Sequence, residues 1–341
     1  MKRIGSIQGL KGIAAFVVFL SHVFMTYKSD LVTSLKYSPF HFFFDGECSV
    51  MIFFAISGFF YYNSKPSSIS SYFSGVKKKI IKIYPPYIII MMIGYFFCNL
   101  HLDYPSSLFT EWSNSFWTND VSFIELFKQL SILYPHNSSL INPPVWYMNI
   151  EVKCFLIIPL IMIAFKSKFG GLWCLLPFWI IMPLGKLNYI GSYLIGSYCR
   201  YLLINKPSIT NILNSLLLRV FLIVLGIIML NIRNEILFLP EKTAFIIQSL
   251  GASIIVSIIY YMEVCHKPYS MFDNKVCRWM GNISYEFYLI HFIVLLCFKS
   301  FGMPFWAFFI ITMSVSILLS LTINKLLASI SEKLSCLKTV I

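Results

Sequence analysis

Apolar stretches of roughly 17–25 residues, the length a helix needs to cross a bilayer's hydrocarbon core, recur from one end of the chain to the other. Ten are counted, at 12–28, 42–62, 80–100, 147–165, 170–184, 187–204, 215–231, 243–263, 280–298 and 304–326. The fifth and sixth are the least distinct. Pro177 and Pro183 interrupt the fifth, and only Gly185-Lys186 separates it from the sixth. The pattern predicts an all-α integral membrane protein, with about ten transmembrane helices in one bundle. No inverted repeat, heptad pattern or low-complexity tract accompanies it.

Composition agrees. With 58% hydrophobic residues, 12% charged residues and a mean hydropathy of +0.75, the 341 residues do not describe a soluble globular chain. Lys2, Arg3 and Lys11 precede the first apolar run, as in a signal peptide. No small-residue cleavage site follows, and Ser21-His22 interrupts the run, so it reads as a retained first helix. The apolar segments leave room for one membrane-embedded domain over 1–341, and no fused soluble domain is expected. Nine cysteines without a CxxC pair read as small hydrophobes, and no metal site is implied.

The net charge of +13 does not point to nucleic acid once the charges are placed on the loops. With the N-terminus inside, 19 of the 27 Lys and Arg residues fall on the cytoplasmic side, against 8 outside or in the membrane. The positive-inside rule then sets both termini in the cytoplasm. The one long connection, about 101–144, lies outside on this topology. Its content of Pro105, Trp112, Trp117, Pro135, Pro143 and Pro144 suits either a folded lid or a passive cover.

Against this apolar background a few polar positions stand out. In the first run, GLKGIAAFVVFLSHVFM from Gly9 to Met25, Lys11 and His22 are eleven positions apart. At about 100° per residue they point the same way, about 16 Å apart along the axis. A histidine inside a spanning helix is costly and faces a bundle interior or a wet cavity; it is either packed against a neighbour or able to take and return a proton. Ser57-Gly58-Phe59 sits within FFAISGFFYY, where small residues serve helix packing unless they line a path. Between the second and third windows, Lys77 to Lys82 precedes IYPPY. Lys79 and Lys82 share a helix face and would either touch anionic lipid or hold the phosphates of a cofactor such as coenzyme A. Glu151 enters the membrane just after Trp146 and needs a partner, either an interfacial ion pair or the His22 imidazole. Ser284, Tyr288 and His291 fall at i, i+4 and i+7, on one polar helix face.

Together these pieces resemble the membrane acyltransferases of acyltransferase family 3, which O-acetylate lipopolysaccharide, capsule and other bacterial surface glycans. The resemblance runs in the family's order over nearly the whole chain. It covers Lys11 to His22, FFAISGF from Phe53 to Phe59, and the basic step Lys79-x-x-Lys82 ending in IYPPY at Tyr87. It continues with the Trp146-to-Glu151 opening and GNISYEFYLIH from Gly281 to His291. Two departures matter. The family's Arg-x-x-Arg is Lys at both positions here, which removes bidentate phosphate contacts, and Val152 stands where a second Glu often follows.

The resemblance implies a bacterial inner-membrane, multi-pass O-acetyltransferase. Acetyl-CoA would be the donor, and a polysaccharide or lipid-linked glycan in contact with membrane lipids the acceptor. His22 would be the catalytic base with Glu151 orienting it. Lys11, Lys78, Lys79 and Lys82 would bind the acyl-CoA, and Ser57 would lie near the acyl path. Trp146, Tyr288 and His291 are assigned to the acceptor. The competing readings are a proton-coupled transporter or flippase using His22 and Glu151 as a relay, and an acyltransferase with an amine or small-molecule acceptor. The acceptor sugar, the acyl chain and the oligomeric state stay open.

Overall fold

A computed structural model describes residues 4–30, 34, 41–63, 68–133, 137–164, 189–232, 241–265 and 272–340. Nine long helices lie within these residues. They are α1 (Gly5–Thr26), α2 (Gly46–Asn63), α3 (Ile69–Cys98), α4 (Trp146–Ala164), α5 (Tyr189–Asn205), α6 (Leu216–Leu230), α7 (Glu241–Cys265), α8 (Lys275–Phe298) and α9 (Phe305–Val340). Each coincides with one apolar window of the sequence. The remaining window, 170–184, lies outside the described residues. No strand occurs among the described residues; the only pairing of that type there is an isolated antiparallel bridge, Tyr27 with Phe109.

Among the described residues, five helices are long and apolar enough to cross a membrane: α1, α3, α8 with its following turn, most of α7 and most of α9. Two more apolar helices, α2 and α6, are shorter. The protein is therefore a multi-pass helical membrane protein.

In lipid, helices associate through close packing and hydrogen bonds rather than a hydrophobic drive, so small residues mark the tightest contacts. The α1–α8 pair shows why. A Cβ placed on Gly281 would stand 1.9 Å from the Gln8 carbonyl oxygen, and one on Gly12 2.7 Å from the Gly281 nitrogen. Gln8 Nε2 also donates to the Gly281 carbonyl at 2.5 Å. The two backbones run parallel with a constant offset: Gly12 lies against Gly281, and ten residues further along each helix His22 meets His291. A second tight pair is α2–α5, where a Cβ on Gly58 would fall 1.8 Å from the Tyr193 carbonyl and Ser197 Oγ donates to the Gly58 carbonyl at 2.7 Å. These helices are also parallel: Tyr189 reaches Glu47 near their starts, and Asn205 reaches Tyr62 near their ends.

The first turn of α1 has no cap from its own sequence, since Ile4 precedes it. Glu263, near the end of α7, supplies one: its two oxygens accept from the backbone N–H of Gly5 and Ser6, each at 2.7 Å. A carboxylate at this position satisfies two orphan donors and opposes the helix dipole, a contribution of about 1 kcal/mol.

The long connection folds into short helices, Ser106–Leu108, Glu111–Asn114 and Phe123–Leu130. All three non-glycine residues with left-handed φ among the described residues belong to it: His101, Trp117 and Ile132. Such geometry persists only where the surroundings over-determine it. Trp117, for example, is held by its Nε1 donating to the Ile141 carbonyl at 3.0 Å. The connection is a built cap rather than a linker.

Candidate functional site

Two imidazoles form its centre. His22 Nδ1 and His291 Nε2 are 2.7 Å apart, their rings nearly parallel at 11° with centroids 5.1 Å apart. His291 is fully buried, and its Nδ1 lies 3.1 Å from the Phe287 carbonyl one turn back. A carbonyl only accepts, so His291 Nδ1 carries the proton and its Nε2 is the acceptor for His22 Nδ1–H. His22 Nε2 is thereby left with a lone pair. That is the tautomer a general base requires.

The walls around His22 are aromatic. Phe292 meets its ring edge-on at 4.9 Å, and the Trp112 ring stacks over it at 6.1 Å and 18°. Trp112 belongs to the cap, which is sewn onto the last turn of α1 just beyond His22. Thr110 N and Ser113 Oγ both donate to the Thr26 carbonyl, at 3.0 and 3.2 Å, and Thr110 Oγ1 donates to the Met25 carbonyl at 2.5 Å. These bonds satisfy carbonyls that a helix end leaves open. From the other side Lys299, 1% exposed, donates to the Ser113 carbonyl at 2.8 Å and to Asn114 Oδ1 at 3.0 Å. Its ammonium lies 3.8 Å from the centre of the Tyr104 ring. Burial raises the Tyr104 phenol above its ordinary value, so it stays a neutral ring under that cation.

Deeper in the bundle, towards the end at which α1 begins, stands an ion pair. Lys79 Nζ on α3 donates to Glu151 Oε1 on α4 at 2.9 Å, with the Phe155 ring 4.6 Å from the ammonium. This corrects two sequence expectations. Glu151 does not orient His22, whose partner is His291; the helix phase around Trp146 turns its carboxylate to α3. Lys79 and Lys82 also do not share surroundings: Lys79 turns inward to Glu151 while Lys82 stays exposed, as does Lys78. Lys82 instead lies on the side of Glu286, a buried carboxylate of α8 that also reaches Asn324. Lys11 is partly buried on α1, three turns below His22.

Between ion pair and imidazoles lies a stack of tyrosines. Tyr147 faces Ser57 and Glu151. Its ring is 5.3 Å from that of Tyr288, which is 6.0 Å from His291, and Tyr288 donates to the Pro144 carbonyl at 3.1 Å. Glu151 Oε2 and the Tyr193 hydroxyl are buried and have no partner among the described residues. A line of polar atoms thus runs through an apolar bundle, from Lys79 by way of Glu151, Tyr147 with Ser57, and Tyr288 to His291 and His22. Trp146 is off this line: its ring packs 4.9 Å from that of Tyr189. Sequence reasoning missed Trp112 as the ring over His22 and Lys299 as the cap's anchor. Neither belongs to a local motif that would have singled it out.

The family model described as an acyltransferase domain, acyltransferase family 3, matches residues 4–325. No curated protein and no solved structure matches the chain. The matched span takes in both histidines, the ion pair and the tyrosine line between them, and the chain belongs to acyltransferase family 3.

Proposed function

We propose that this membrane acyltransferase moves an acetyl group from cytoplasmic acetyl-CoA to a hydroxyl of a surface or exported polysaccharide. The observation that carries the reading is the His22–His291 pair, which leaves His22 Nε2 as a base beneath a cap that presents an aromatic ring. Family membership supplies acyl transfer; the donor and the acceptor are our reading.

In this mechanism the acceptor hydroxyl gives its proton to His22 Nε2 as its oxygen bonds to the acyl carbon. The thioester C–S bond breaks, and the imidazolium returns the proton to the leaving thiolate, so that His22 ends as it began. His291 accepts from His22 Nδ1–H throughout and stabilises the positive charge that forms on the ring. Trp112, with one face over His22, suits the apolar face of a sugar ring. The donor would enter from the Lys79 end along the polar line, with Lys11, Lys78 and Lys82 available to phosphates. If the acetyl group rests on the protein on the way, His22 and Ser57 are the candidates.

Ten crossings and cytoplasmic termini belong to the same reading. Nine of the ten apolar windows on which it rests coincide with described helices. The test is to express wild type and His22→Ala in a bacterium whose surface glycan carries no acetate, and to measure ester-linked acetate on that glycan. Acetate with wild type and none with the variant, at equal membrane levels, is the expected result. Equal acetylation by both would remove His22 from the chemistry.

A further inference from the structure

At the end of the bundle where α1 begins, away from the polar line, Arg219 in the first turns of α6 is only 7% exposed. Its Nε and Nη1 are buried and have no acceptor among the described residues. A guanidinium cannot shed its proton in a protein, and a buried charge without a counter-charge is among the costliest groups a fold can hold. Its neighbour Tyr261 does not relieve it: that hydroxyl lies 2.9 Å from the Thr210 carbonyl and 2.8 Å from Asn214 Oδ1, and neither Arg219 Nε nor Nη1 bonds to it.

Of the carboxylates towards this end, Glu151 holds Lys79, Glu263 caps α1 and Asp273 pairs with Arg278, and none bonds to Arg219 Nε or Nη1. The segments 64–67, 165–188 and 266–271 contain no Asp or Glu. The surroundings of Arg219 are apolar and exposed. Leu216 and Leu217, just after the Ser215 cap of α6, are 63% and 81% exposed, and Phe221 is 58% exposed. That places the guanidinium within one turn of a helix start, at the depth where an apolar surface gives way to headgroups.

We propose that Arg219 is a phosphate-binding site, filled by the phosphodiester of an anionic phospholipid seated between the start of α6 and the end of α7. A phosphate matches the guanidinium's paired donors, and the N-terminus of α6 adds its own preference for an anion. The site lies outside the proposed acyl path, so it bears on the stability of the bundle rather than on the transfer step.

Thermal unfolding of purified protein in phosphatidylcholine nanodiscs, with and without phosphatidylglycerol, tests this. The wild-type midpoint should rise by roughly 3 °C with the anionic lipid. Arg219→Met should show no rise, and in pure phosphatidylcholine should unfold at or above the wild-type midpoint, because it carries no buried unpaired charge. If inorganic phosphate alone reproduces the full rise, the same oxyanion chemistry holds and the occupant is a soluble phosphate. No rise with either, or an equal rise in the Met variant, overturns the proposal. Should Arg219→Met fail to fold, native mass spectrometry of Arg219→Gln is the second readout. One fewer retained phosphatidylglycerol supports the site, and an unchanged count overturns it.

Discussion

The two ends of the polar line solve the same problem, a polar group in an apolar bundle, in opposite ways. At Lys79–Glu151 two full charges neutralise each other at 2.9 Å. At His22–His291 nothing is charged: one ring donates to the other, which donates to a backbone carbonyl. The charged end is a fixed device, since neither partner tolerates loss of the other. The neutral end is suited to change, because His22 can gain and lose a proton without breaking its bond to His291. Their separation leaves His22 bonded to a neutral partner, with its Nε2 open to exchange a proton.

The sharpest way to break this contrast is at the base. His22→Ala should lower acyl transfer by roughly 10²–10⁴-fold, the usual weight of a positioned general base, read as acetate transferred per unit of membrane protein. At the charged end the loss should appear in stability instead. Lys79→Met leaves a buried carboxylate without its cation and should cost roughly 3–5 kcal/mol, seen as a lower unfolding midpoint. The double variant Lys79→Met with Glu151→Leu should recover most of that loss. If it does not, the pair does more than neutralise itself.

A third substitution separates holding from chemistry. His291→Gln keeps a group able to accept from His22 and should retain transfer within about tenfold of wild type. His291→Phe strands the His22 Nδ1–H and should fall further, with its pH–rate profile displaced. Similar profiles for the two would make His291 a packing residue only. Smaller still, Trp112→Ala should raise the acceptor KM about tenfold with little change in kcat, as expected for a ring that positions a sugar. An effect on kcat alone would place Trp112 in the chemistry instead.

How much of this was legible beforehand follows from what each signal depends on. Helix positions depend on local hydropathy, and nine of the apolar windows correspond to described helices. His22 and His291 each stood out as ionisable groups in apolar surroundings, and their helix faces were readable from periodicity. Their hydrogen bond was not, because it depends on the register of α1 against α8. That register is fixed by Gly12 and Gly281, which in sequence look like any other small residues. Glu151 was correctly flagged as needing a partner and assigned the wrong one, since periodicity gives a residue's direction but not the helix it points at. Trp112 and Lys299 gave no signal, because they gain their roles only when the cap closes over α1.

The pairing of α1 with α8 also sets a timetable. His22 is made almost at once, but the ring that fixes its tautomer follows 269 residues later, and the Lys299 anchor of the cap after that. At the pace of synthesis this gap lasts on the order of tens of seconds. On the proposed mechanism, a fragment left by a ribosome stalled midway would hold His22 with nothing to fix its tautomer, and would be inert rather than half-active.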